Sequence, residues 1–103
     1  MPSLVGRHAD LVGALRRAVF RSSGETDAGI RWAAGAGDAL PEPWGGYAAK
    51  VREQSYRITD ADIAALTATG CTEEEIFEIT TAVAVGTALG RLDAGLRLLQ
   101  GER

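Results

Sequence analysis

The chain has 103 residues, 46% hydrophobic and 24% charged, with a formal net charge of −3. That is one domain with one modest core, neither a disordered polyelectrolyte nor an integral membrane protein, and its negative balance argues against a nucleic-acid or anionic-membrane surface. One cysteine, Cys71, and one histidine, His8, exclude an intramolecular disulfide, a CxxC pair and a thiolate zinc site.

Near the N-terminus, Arg7, His8 and Asp10 interrupt the apolar run that a secretory signal requires. The longest uncharged stretch, Ile79 to Gly90, is too short to span a bilayer. The expectation is a single all-α domain over residues 1–103, cytoplasmic, built as a bundle of about five helices.

The first helix is expected from Ser3 to about Arg21. Leu4, Val5, Leu11, Val12, Leu15, Val19 and Phe20 form one stripe, Ser3 is the N-cap, and Ser22-Ser23-Gly24 is the stop. Asp27 can cap a short helix through Ile30, Trp32 and Ala34, made marginal by Gly29, Gly35 and Gly37. Pro43 suits a first helical position, and Trp44, Tyr47 and Val51 share the face of a helix ending near Tyr56.

Thr59 with Asp62, and Thr72 with Glu75, each read as a capping box, a hydroxyl followed three residues later by a carboxylate. Between them Gly70 suits a left-handed helix end, with Ile63 and Leu66 facing inward before it. In the last helix, Ile76, Ile79 and Val83 form one stripe and Val85, Leu89, Leu92, Leu96 and Leu99 a second. Gly86, Gly90 and Ala94 leave a smooth ridge, which reads as intramolecular packing with a subunit interface as the alternative. Nothing in the chain alternates as a strand does.

Residues of chemical interest are few. Cys71 follows a turn and reads as a small, half-buried residue; a reactive thiol would be opposed by Glu73, Glu74 and Glu75. Those glutamates, with Asp60 and Asp62, are explained by helix starts rather than by metal binding. They would also repel DNA from a helix-turn-helix reading of the Gly70-Cys71 turn. Trp32, Trp44 and Tyr47 could line a pocket for a planar ligand, and their spacing suits a core equally well.

The stretch Tyr56 to Leu66, then Gly70 and Thr72 to Glu78, with the closing Gly86…Leu89-Gly90-Arg91-Leu92-Asp93-Ala94-Gly95-Leu96, resembles the carboxymuconolactone decarboxylase-like / alkylhydroperoxidase D-like superfamily of small helical proteins. The resemblance covers about residues 40–99. It implies a homo-oligomer whose helices pack across subunits. In the hydroperoxidase branch a C-x-x-C-x-x-x-H motif lies in the helix ending at that glycine; its positions fall on Ser55, Ile58 and Asp62. None can perform dithiol chemistry, so a member without thiol peroxidase activity and without a cofactor is implied.

Three classes of function stay open. The first is a non-catalytic or accessory self-associating protein, favoured by the missing cysteine pair. The second is a cofactor-free enzyme on a small organic acid or lactone, for which Tyr56, Asp62 and His8 are the nominees. The third is a small-ligand binder using Trp32, Trp44 and Tyr47.

Overall fold

The computed structural model describes the backbone of residues 4–101 and the side chains of residues 9–101. Five α-helices account for most of it, and no strand occurs among the described residues. The expected cap Ser3 and the side chain of His8 lie outside what is described.

Helix α1 (Leu4–Arg16) runs into a single π-helical turn, Arg17–Arg21, and stops at Ser22, where the Ser-Ser-Gly signal stands. Helix α2 (Ala28–Ala36) begins at Asp27, whose carboxylate accepts the Gly29 N–H at 3.0 Å. It ends at Gly37 in the left-handed conformation (φ 80°), where a side chain would be strained. Helix α3 (Trp44–Gln54) starts one residue later than the proline rule suggests: Pro43 is its cap residue. A 3₁₀ turn, Ser55–Arg57, carries the chain out of α3.

Helices α4 (Asp60–Ala68) and α5 (Glu73–Leu99) both open with complete capping boxes. At α4, Asp62 accepts the Thr59 N–H at 2.8 Å; at α5, Glu75 accepts the Thr72 N–H at 2.9 Å and the Thr72 hydroxyl accepts the Glu75 N–H at 3.1 Å. Between the helices Gly70 adopts φ 98°. Of the positions that the hydroperoxidase motif would occupy, only Asp62 is on α4; Ser55 and Ile58 precede it, in and after the 3₁₀ turn.

Helix α5 is the axis of the bundle. Its 27 residues extend about 40 Å at 1.5 Å per residue, in a molecule 51 Å long. Ile76, Ile79, Ala82 and Val83 on its first half meet Phe20, Ala34, Trp44, Tyr47, Ala48, Val51 and Leu66 in one core. The tightest crossing joins α2 to α5: a β-carbon on Gly86 would overlap the backbone of Gly35, and one on Gly35 would strike the Phe20 ring.

A polar clamp holds the segment before α2 against the same helix. Glu78 accepts the Glu25 and Thr26 N–H groups at 2.9 Å each and the Thr26 hydroxyl at 2.6 Å. Arg31, buried beneath them, donates to the Ser22 carbonyl. Burial pushes the Glu78 carboxyl upward, but the hydrogen bonds from Thr26 and Glu25 and the Arg31 charge outweigh it and hold the group below its ordinary value.

Two expected stripes are only partly covered. In α1 and its π turn, Phe20 is buried and Val19 packs on the core, whereas Leu11 is 71% exposed and Leu15 also faces solvent. In α5, Leu89 is buried, Leu92 and Leu96 are half-buried, and Leu99 is 85% exposed. Both uncovered stretches lie outside the core, which is drawn from the π turn, α2, α3, α4 and the first half of α5.

Candidate functional site

The concavity of interest follows from the Gly35–Gly86 crossing. Helix α2 stops at Ala36, one residue beyond that contact. One turn further along α5, a β-carbon on Gly90 would meet nothing within 4 Å, and Ala94 follows on the same face. Small residues therefore leave the α5 surface bare where α2 no longer covers it. The result is a cleft of about 500 Å³, within the size range of small-molecule sites.

Its floor is the Gly86, Gly90 and Ala94 ridge, and the end of α2 from Gly35 to Gly37 closes one side. Phe20, from the π turn, and Trp32, from α2, form an aromatic wall. Their rings meet edge to face, with centroids 5.9 Å apart and planes at 79°. Phe20 is buried and fixes the pair, while Trp32 is 51% exposed.

The rim is basic. Arg16, Arg52 and Arg91 line the cleft together with one carboxylate, Asp93. Asp93 pairs with Arg16 at 3.0 Å, which ties the end of α1 to α5. Among the described residues Arg52 and Arg91 form no ion pair. The Arg52 guanidinium packs over Gly37, with Nε 3.5 Å from where a β-carbon there would stand, at the negative end of the α2 dipole. A chain of net charge −3 thus carries an excess of positive charge around this cleft.

The aromatic trio nominated for ligand binding is divided by the fold. Trp32 is in the cleft. Trp44 and Tyr47 are buried core residues, the Tyr47 hydroxyl lying 2.6 Å from the Thr80 hydroxyl. The small-residue ridge is divided too: Gly86 packs within the chain, and Gly90 and Ala94 face the cleft.

The two acid–base nominees among the described side chains, Tyr56 and Asp62, are not gathered around a cavity. Tyr56 projects from the 3₁₀ turn with 80% exposure, its ring beneath the Arg57 guanidinium at 5.8 Å. Asp62 accepts from Lys50 Nζ at 2.8 Å as well as from Thr59, and these bonds, Lys50 first, hold its carboxyl below the ordinary value. A carboxylate so held is a poor general base near neutral pH. Neither residue lines the cleft. Cys71 is half-buried against the core, its sulfur 3.6 Å from the Thr69 hydroxyl.

Sequence reasoning missed Phe20, Arg16, Arg52 and Arg91 as cleft residues. Trp32, nominated for a pocket, and the every-fourth-residue run of small side chains, read as a packing surface, were the two signals that fall on the place. No helix is long and apolar enough to cross a membrane among the described residues. Comparison of the chain with protein-family models, with curated proteins and with solved structures finds no match.

Proposed function

We propose that this is a non-catalytic, self-associating protein that holds a small organic molecule in the cleft between α2 and the second half of α5. The observation that carries the reading is a solvent-open concavity of about 500 Å³ whose floor is glycine and alanine and whose wall is a half-exposed tryptophan. The surface is apolar enough to attract a flat molecule and has no large side chain to fill it.

Self-association is supported by Leu11, Leu98 and Leu99, all more than two-thirds exposed on α1 and the end of α5. A helix of 13 residues such as α1 is marginal in water without tertiary packing. The superfamily resemblance of the segment 40–99 points the same way, and with it we read the protein as a cytoplasmic, carboxymuconolactone decarboxylase-like member without thiol peroxidase activity. No observation favours the enzyme reading, since Asp62 is held by Lys50 and Thr59, and Tyr56, exposed beneath Arg57, does not line the cleft.

The test is a fragment screen followed by amide and indole N–H shifts in the wild type and in Gly90→Leu. A leucine at 90 enters open space, so it projects over the cleft floor while leaving the packed crossing at Gly86 untouched. Binders that shift the Trp32 indole signal in the wild type and are lost in Gly90→Leu support the reading. No binder of the wild type, or binders indifferent to the leucine, overturn it.

A further inference from the structure

We infer that the cleft selects planar aromatic anions, with Arg52 and Arg91 gripping the anionic group; this rests on the reading that the cleft holds a small molecule. Three features of the same surface carry it. The floor is formed by Gly86, Gly90 and Ala94, nearly bare helix backbone, and is open above Gly90. A flat ring can approach such a floor more closely than a branched aliphatic chain can.

Trp32 supplies the second surface of the slot. Phe20 packs edge-on against it, which orients the indole and leaves its ring half accessible. An aromatic guest between Trp32 and the glycine floor buries apolar area on both faces and gains the offset or edge-to-face geometry that aromatic pairs favour.

The rim supplies the selectivity for charge. Of its three guanidinium groups, one is already matched: Arg16 pairs with Asp93 at 3.0 Å. Arg52 and Arg91 come from different helices, α3 and α5, and meet no carboxylate among the described residues. A carboxylate or phosphate on the ring edge would complete them with charge-assisted hydrogen bonds, to which the planar guanidinium is suited. A neutral guest of the same shape would leave both unmatched. Ser55, Ile58 and Asp62 do not line the cleft, so the inference is independent of the position where the dithiol motif would stand.

The experiment is calorimetric titration of the full-length chain with 2-naphthoate and with neutral 2-naphthamide. The proteins compared are the wild type, Gly90→Leu, Arg91→Gln, and the Arg52→Gln/Arg91→Gln pair. The expected result is binding of naphthoate by the wild type, with naphthamide at least about tenfold weaker. Naphthoate should weaken by about tenfold in Arg91→Gln, the size of one charge-assisted contact, by more than that in the double variant, and be lost in Gly90→Leu. Arg91 is exposed, so Arg91→Gln alone keeps the test valid where the double variant fails to fold. Equal binding of acid and amide, both lost in Gly90→Leu, overturns the charge selectivity and leaves the cleft reading standing. Naphthoate binding that survives Gly90→Leu, or no binding by the wild type, also overturns the inference.

Discussion

Gly86 of α5 lies against the backbone of Gly35 in α2, so close that a β-carbon on either glycine overlaps its neighbours. This contact fixes where α2 crosses α5, and because α2 ends one residue later it also fixes where the cleft begins.

Glycine on one ridge therefore has opposite consequences one turn apart. Gly86→Ala forces backbone apart and should destabilise the protein by about 1–3 kcal/mol. Gly90→Ala meets open space and should stabilise it by about 1 kcal/mol through helix propensity. Urea unfolding of the two variants checks both signs.

Glu78 anchors the segment before α2 through three hydrogen bonds from Glu25 and Thr26. Glu78→Gln should cost about 1–2 kcal/mol at neutral pH. The folded carboxyl titrates below its ordinary value of 4.5, so its stabilisation is complete above that value and is lost as pH falls through the lower, folded one. A stability–pH profile of the wild type should drop on acidification below about 4.5, and the glutamine variant should lose part of that drop. Gly24→Ala should weaken the same clamp, since its β-carbon would stand 2.8 Å from the Glu78 carboxylate.

The two capping boxes act independently. Thr59→Ala and Thr72→Ala should each cost about 1 kcal/mol, with the double variant close to the sum. Thermal melts followed by circular dichroism measure this. A Thr72→Ala cost of zero would mean that α5 is held by packing alone.

Self-association through the uncovered leucines has a direct consequence. Leu11→Glu together with Leu98→Glu should reduce the native mass toward that of one chain and leave helicity unchanged, because neither side chain is in the core. Sedimentation velocity reads the first effect and far-ultraviolet dichroism the second.

What the sequence disclosed depended on how local the cause was. The starts of α4 and α5 were legible because a cap is settled by residues three apart, Thr59 with Asp62 and Thr72 with Glu75. Gly70 was legible for the same reason. The marginal segment around Asp27 forms the short helix its cap suggests, since Gly29 and Gly35 cost little beside the burial of Ala34 in the core. The cleft was not legible, because it depends on which of three similar aromatic residues the fold leaves uncovered. Trp32 differs from Trp44 and Tyr47 only in where α2 and α3 meet α5. Nor could spacing show that Arg16 finds Asp93 across 77 residues while Arg52 and Arg91 stay unmatched.

The most direct test is a crystal structure of the full-length protein soaked with 2-naphthoate. The account predicts the ring between Trp32 and the face formed by Gly86, Gly90 and Ala94, its carboxylate turned to Arg52 and Arg91. Naphthoate bound elsewhere, or a cleft filled by side chains of a neighbouring copy in the assembly, would contradict it.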